Sequence, residues 1–225
     1  GEDVLSSASG NSMIFIYADT VAFNTQYVYY TQEKFKDRSL IFGGSVGRVG
    51  YREQIAKEFN NLSFPKDFTS DNKQLSGSLI DSLISLNKDK INIYTNDFAP
   101  AVEGYRWQAS GLLKKLVKNE DYNPDSLVTL NRDKFDNFKF LNSDYDEQYA
   151  NFFAVNIRQT YYLFMVQLVD ELIASAKYNE AIEFSKKASL LLPEDRDSYV
   201  RLGKTYALLK KCDEARDAYL KVLSL

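Results

Sequence analysis

The sequence predicts an α/β domain with a small parallel sheet over residues 1–130, followed by an all-helical domain over residues 131–225. Three observations support this fold class. Short apolar runs alternate with helix-like stretches in the first part, as in parallel sheets whose strands are joined by helices. After residue 130 the apolar residues recur at helical spacing instead. The last third of the chain also matches itself at an offset of 34 residues, which indicates a repeated helical unit.

The order of apolar residues assigns the individual elements. Three nearly continuous apolar runs predict buried parallel strands at Met13–Ala18, Ser39–Phe42 and Ile91–Thr95. Three intervening stretches predict helices at Val21–Phe35, Arg52–Phe59 and Leu75–Leu86. Asp133–Phe140 is interpreted as a polar–aromatic connector. Beyond it, Asp144–Ala176 has room for one or two helices, and Glu180–Leu192 for another.

The helical domain contains two copies of one pattern. The residues that carry it are Leu168, Ala181, Ala188, Pro193, Tyr199, Leu202, Gly203, Tyr206, Ala215 and Tyr219. Their order and spacing resemble the tetratricopeptide repeat, a pair of helices that must stack on a neighbour to bury its apolar face. The first copy departs from that pattern, because Met165 and Val169 stand where an aromatic residue and a glycine are expected. The resemblance implies a segment that binds or braces other groups rather than one that performs chemistry.

The composition excludes several classes of function. Histidine is absent, which removes the commonest general base and the commonest metal ligand. Cys212 is the only cysteine, so neither an intramolecular disulfide nor a cysteine zinc cluster can form. The formal net charge of -3 argues against a nucleic-acid partner, and no cofactor or metal is expected. The 16 Tyr and 15 Phe could contact sugars or proteins, although core packing also accounts for them.

Two candidate sites lie at predicted strand ends. Asp19 and Asp97 each follow a strand, where ligands bind in open α/β sheets, so their carboxylates could form an acid/base pair or a divalent-metal site. Capping of the following helix or turn is the alternative. The loop Gly43–Gly50, with Arg48 and Arg52, could hold an anion, but it lacks the ending of a phosphate-binding loop. A flexible connector is the alternative there.

A third candidate is the segment Glu103–Trp107. It places Arg106 between Tyr105 and Trp107, a combination that can stack on a sugar ring and hydrogen-bond its hydroxyl groups. The alternative is that Trp107, the only tryptophan, anchors the core.

The order of several short motifs resembles the soluble C-terminal part of polytopic bacterial glycosyltransferases whose membrane core is protein O-mannosyltransferase-like. These motifs are Glu2–Leu5, Ser9–Ser12 followed by the first strand and Asp19, Tyr27–Tyr30, Lys36–Ile41, Tyr51-Arg52, Leu62–Pro65, Glu103–Arg106, Gly111–Leu113 and Asn156–Tyr162. Each motif is short, and the segment between Ala109 and Phe135 departs most from the family. The resemblance implies that catalysis belongs to a membrane core, covalently attached in a longer parent chain.

The predicted function is therefore that of a non-catalytic extracytoplasmic (periplasmic) domain of a membrane glycosyltransferase, positioning a protein or glycan acceptor. The candidate contact residues are Tyr27, Tyr30, Arg52, Asp97, Tyr105, Arg106 and Trp107. Two alternatives stay open: a free-standing repeat adaptor that binds a protein partner, and an α/β enzyme that uses Asp19 and Asp97. Both ends of the sequence are expected to continue in the parent chain.

Overall fold

The computed structural model describes residues 1–70, 76–141 and 152–225, and the chain divides between Tyr122 and Asn123 into two units. The sequence-based boundary at residue 130 lies eight residues further on, inside a helix that begins at Pro124. Among the described residues, none of the helices combines the length and the apolar character needed to cross a bilayer.

The first unit, residues 1–122, is built on a five-stranded sheet. Its strands are β1 (Ser12–Ile16), β2 (Arg38–Phe42), β3 (Asn92–Thr95), β4 (Tyr105–Ser110) and β5 (Leu113–Lys118), in the spatial order β2-β1-β3-β5-β4. β1 pairs in parallel with β2 and with β3, as predicted. All five residues of β1 are buried and it has a strand on each side, which is why Met13–Ile16 is an uninterrupted apolar run.

The expectation of a purely parallel sheet is wrong for its other half. β4 and β5 form an antiparallel hairpin, and β5 adds antiparallel to β3. Only Gly111 and Leu112 separate the two hairpin strands, and so short a connection cannot join parallel neighbours. Gly111 has a φ of 63°, which a residue without a side chain adopts at no steric cost.

The described residues of the first unit form four α-helices: α1 (Glu2–Ser6), α2 (Asp19–Thr31), α3 (Val49–Glu58) and α4 (Ser76–Asn87). The predicted helices match α2, α3 and α4 to within a few residues, except that Leu75 lies outside the described residues. α2 ends earlier than predicted, at Thr31, and a single 3₁₀ turn follows at Glu33–Phe35. The core between helices and sheet includes Phe15, Ile41 and Leu83, all at most 1% exposed.

The second unit, residues 123–225, is helical, with α5 (Pro124–Asn137), α6 (Phe152–Ala174), α7 (Tyr178–Leu191), α8 (Arg196–Leu208) and α9 (Cys212–Ser224). α6 packs on α7 and α8, α7 on α8, and α8 on α9. The interpretation of Asp133–Phe140 as a connector is wrong up to residue 137. Asn123 caps α5 through hydrogen bonds from two backbone N–H groups, and Pro124 suits its first turn. The predicted segment Asp144–Ala176 begins outside the described residues.

The 34-residue period of the sequence recurs in the backbone. Ala176 and Lys210, one period apart, have φ values of 57° and 58° in the turns that end α6 and α8. In both turns the next N–H donates to the carbonyl oxygen five residues earlier, Lys177 to Leu172 and Lys211 to Tyr206, each at 2.9 Å. Two helix pairs therefore share the same connection, the left-handed helix end that satisfies the last carbonyl groups.

The residues of the repeat pattern divide by burial. Leu168, Ala181, Ala188, Leu202, Gly203 and Ala215 are buried, Tyr199 and Tyr206 are half-buried, and Pro193 and Tyr219 are exposed. A Cβ on Gly203 would lie 2.6 Å from the ring of Tyr219, so the absence of a side chain lets this ring pack on α8. Pro193 follows the end of α7, as its missing N–H predicts.

Candidate functional site

A cleft of about 500 Å³ lies at the carboxyl ends of β1 and β2. It is lined by the end of β1, by one face of α2, and by the segment from β2 into α3. The lining residues are Ile16, Tyr17, Ala18, Asp19, Ala22, Phe23, Gln26, Tyr30, Phe42, Gly44, Ser45, Arg48, Tyr51 and Gln54. A concave site with several aromatic rings and a few converging polar groups has the features of a small-molecule pocket.

The chain makes a strained turn where β1 gives way to α2. Ala18 has φ 66° and ψ 127°, a conformation that residues other than glycine rarely adopt. Next to it, the ring of Tyr17 lies against Gly43, where an added Cβ would be 2.1 Å from a ring atom. The Tyr17 hydroxyl is buried and has no hydrogen-bond partner among the described residues. Strain and an unsatisfied polar group both occur preferentially at functional sites.

Tyr51 is held at the wall of the cleft by the end of β2. Its hydroxyl oxygen accepts a hydrogen bond of 2.7 Å from the backbone N–H of Phe42, and the two rings meet edge to face. Burial raises the pKa of Tyr51, while the bond from Phe42 acts in the opposite direction. The hydroxyl therefore keeps its proton at neutral pH and remains a hydrogen-bond donor as well as an acceptor.

The charged groups of the cleft are one guanidinium and one carboxylate. Arg48 stands directly before α3 and Asp19 opens α2, and both side chains are exposed. Neither forms a hydrogen bond or an ion pair through its side chain within residues 1–70, 76–141 and 152–225. Gln26 and Gln54 add two amides from the facing helices. The cleft therefore has balanced charge and several unoccupied donors and acceptors.

Arg52 does not belong to this cleft, and its prediction as a ligand contact is corrected by its burial. Its side chain is 2% exposed. One guanidinium nitrogen donates to the carbonyl oxygens of Val46 and Gly47, both at 3.1 Å, and the other to that of Ser70 at 2.7 Å. The guanidinium thus links the loop before α3 to Ser70, which lies 18 residues after Arg52 in the chain.

The two predicted carboxylates do not share a site. Asp19 lines the cleft, whereas Asp97 lies after β3 and is not part of the lining. Burial raises the pKa of Tyr17, and the nearby negative charge of Asp97 raises it further. Within the described ranges no group of three or more acidic or cysteine residues is placed to hold a metal ion.

Asn96, the residue before Asp97, closes the space between β1 and β3. Its side-chain oxygen accepts from the Tyr17 N–H at 2.7 Å, and its amide nitrogen donates to the Tyr17 carbonyl at 2.9 Å. Its own backbone N–H donates to Phe15 at 3.3 Å. Beyond the end of β3, the Asn96 side chain therefore replaces the backbone hydrogen bonds that would continue the pairing of β3 with β1.

The predicted contact residues Tyr105, Arg106 and Trp107 lie elsewhere on the first unit. Tyr105 donates to Asp89, which raises its pKa to about 12, and it lines a separate cleft of about 340 Å³ beside the start of β3. The Arg106 guanidinium lies 3.6 Å from the centre of the Tyr122 ring. Trp107 donates to the Pro100 carbonyl at 2.8 Å. None of the three lines the first cleft.

The two tyrosines predicted on α2 differ in position. Tyr30 lines the cleft and is 44% exposed, whereas Tyr27 is 71% exposed and stands outside the lining.

Comparison with protein-family models, with curated proteins and with solved structures finds no match. Sequence reasoning missed Phe23, Gln26, Tyr51 and Gln54, all of which line the cleft. Their position in the sequence could have identified them. Each lies within two turns of the start of a helix that follows a parallel strand, where open α/β sheets bind ligands.

Proposed function

We propose that the chain is a non-catalytic binding unit that holds a glycan acceptor in the cleft at the carboxyl ends of β1 and β2. By its resemblance it serves as an extracytoplasmic domain of a membrane glycosyltransferase. The observation that carries the proposal is the lining of the cleft, which combines five aromatic residues with one guanidinium, one carboxylate and two amides.

This lining matches the chemistry of a saccharide better than that of an ion. A sugar ring has an apolar face of C–H groups that packs on an aromatic ring, and hydroxyl groups around its edge that donate and accept hydrogen bonds. Phe23, Tyr30 and Tyr51 supply rings, and the amides of Gln26 and Gln54 both donate and accept. The charges of Arg48 and Asp19 balance, which favours a ligand without net charge.

A binding role is also favoured over hydrolysis of the bound sugar. Glycoside hydrolysis in most families uses two carboxyl groups that flank the scissile bond. Asp19 is the single carboxylate among the described residues that line the cleft. The alternative enzyme, which needs Asp19 and Asp97 together, has its two carboxylates outside a common cleft. Transfer of the sugar is therefore assigned to the membrane core that the resemblance implies.

The helical unit supplies the second part of the proposal. Its 34-residue period and its two matching turns support tetratricopeptide-like helix pairs, whose surfaces dock partner proteins. Exposed apolar side chains on α8 and α9, among them Leu208 (47%), Leu220 (54%) and Leu223 (82%), favour the second candidate function, a protein adaptor. A partner-binding helical unit is compatible with both candidates.

Saccharide binding by the whole chain tests the proposal. A glycan array followed by calorimetric titration is expected to reveal a neutral saccharide whose affinity falls about tenfold or more in Arg48→Met, because a hydrogen bond from a charged group is lost. Arg216→Met, which alters an exposed arginine of α9, is the matched control. Absence of any saccharide binding, or equal affinity in both variants, contradicts the role of the cleft.

The membrane assignment has its own test. The native reading frame is expected to encode several hydrophobic spans ahead of Gly1 in the same chain. A reading frame without them refutes the assignment to a membrane glycosyltransferase and favours the adaptor.

A further inference from the structure

Aromatic side chains continue from the cleft onto the open surface of α2. Phe23, Tyr27 and Tyr30 follow one another at spacings of four and three residues, so they occupy one face of the helix, about one turn apart. They are 66%, 71% and 44% exposed. We call these three residues the α2 aromatic row.

The α2 aromatic row is continuous with the cleft but extends beyond it. Phe23 and Tyr30 line the cleft, whereas Tyr27, between them in sequence, does not. At 3.6 residues per turn, Tyr27 is turned about 40° around the helix axis from Phe23 and about 60° from Tyr30, to the same side. A monosaccharide that contacts the rings lining the cleft therefore leaves the ring of Tyr27 uncovered.

Resting on the proposed function, we infer that the ligand is a saccharide chain of at least two units, whose second unit leaves the cleft and stacks on Tyr27. Tyr27 then determines specificity for the length of the saccharide, because a ligand confined to the cleft does not touch its exposed ring.

The neighbours of the row favour a sugar over an apolar helix as its occupant. A docked amphipathic helix is held by apolar anchors that meet an apolar groove. Within one turn of Tyr27, however, the exposed residues of α2 outside the row are Asn24 and Thr31, both polar, while Gln26 and the apolar Val28 are half-buried. The side chains of Asn24 and Thr31 bond to backbone carbonyls of their own helix, so the exposed surface beside the rings is polar. Rings flanked by polar groups match the C–H faces and hydroxyl groups of a saccharide.

The two tyrosine rings of the α2 aromatic row, Tyr27 and Tyr30, have different surroundings. Burial raises the pKa of Tyr30, and its ring meets that of Tyr29 edge to face at 5.2 Å. The Lys36 ammonium lies 5.0 Å from the centre of the same ring. Tyr30 is therefore fixed by its neighbours, whereas Tyr27 gains its contacts from the ligand.

Affinity as a function of chain length tests the inference. Manno-oligosaccharides of one to four units are titrated into the whole chain, together with the best oligosaccharide series from the glycan array. We expect a gain in affinity from one to two units, and about a 3- to 10-fold smaller gain in Tyr27→Ala, the range for one aromatic contact. Tyr27→Phe keeps the ring and should restore most of the gain. Leu86→Ala, at an exposed position of α4, should match the unchanged chain.

The possible outcomes separate the inference from the proposed function. Monosaccharide binding that depends on Arg48, without any gain for longer chains, overturns the inference and leaves the proposed function standing. A gain that Tyr27→Ala does not reduce also overturns the inference. No binding of any saccharide refutes the proposed function and the inference with it. If Tyr27→Ala instead weakens self-association in sedimentation experiments and leaves the gain intact, the row is a contact between copies of the chain.

Discussion

Replacing Arg52 with methionine is expected to destabilise the first unit by about 3–5 kcal/mol, as inferred from its three hydrogen bonds. The bond to Val46 is buried, and loss of a charged donor to a buried carbonyl costs roughly 1.5–3 kcal/mol. The carbonyl groups of Gly47 and Ser70 are partly buried and can regain water, so each adds about 1 kcal/mol. Methionine fills much of the space that the side-chain stem occupies, which keeps the cavity contribution small.

Urea unfolding followed by tryptophan fluorescence measures the loss of stability in the first unit. Trp107 is the only tryptophan and belongs to the first unit, so its emission reports that unit alone. With an m-value of roughly 1–3 kcal/mol per molar urea, the midpoint should fall by roughly 2 M. Since a domain is stabilised by only about 5–15 kcal/mol, this loss is a large fraction of the total.

The matched control is Arg48→Met, four residues earlier in the same segment. Arg48 is exposed and has no partner for its side chain in the described part of the chain, so this change should alter the free energy of unfolding by less than about 0.5 kcal/mol. The two variants thus separate stability from ligand binding. A loss below about 1 kcal/mol in Arg52→Met, or an equal loss in Arg48→Met, would refute the structural role of Arg52.

Three further substitutions test other contacts by urea or thermal unfolding. Gly43→Ala places a Cβ 2.1 Å from the ring of Tyr17 and should cost about 1–3 kcal/mol, and distinctly less in a Tyr17→Ala background. Arg132→Gln removes a bidentate partner of Glu183 and should cost at most about 1 kcal/mol at pH 7, since both side chains are partly exposed. The hydrogen bond from Arg132 lowers the pKa of Glu183 below its ordinary 4.5, so this contribution is present above pH 4.5 and should vanish as the pH falls through the lowered value. Ala188→Leu overpacks a fully buried position of α7 and should cost about 1–3 kcal/mol by helical circular dichroism.

The parallel half of the sheet was predictable because burial leaves a direct trace in the sequence. β1 is covered on both faces, so every residue of it is apolar or small. The antiparallel half gave no such trace. β5 contains Lys114, Lys115 and Lys118, and its residues alternate only loosely between buried and partly exposed. The sequence of an edge hairpin with polar faces therefore predicts a loop, unless its two-residue turn is recognised.

The place of the candidate site was predictable, but its side chains were not. Strand ends and the loop before α3 pointed to the edge of the sheet at which the cleft lies, and Arg48 and Asp19, both named from the sequence, line it. Sequence reasoning could not tell Arg48 from Arg52, because the burial of Arg52 depends on the carbonyl of Ser70, contributed by a distant turn. Nor could it separate Asp97 from Asp19, since the sequence does not record that the Asn96 side chain pairs with the backbone of Tyr17.

The closure by Asn96 explains why the cleft lies beside β2 rather than at the usual position for this topology. With the strand order β2-β1-β3-β5-β4, the connection from β1 leads towards β2 and that from β3 leads the opposite way, towards β4, which places the topological switch point between β1 and β3. There, the Asn96 amide pairs with both backbone groups of Tyr17. The ring of Tyr17 lies against Gly43, and Tyr17 lines the neighbouring cleft. One asparagine therefore occupies the space between β1 and β3 and holds the backbone of an aromatic residue that lines the cleft beside β2.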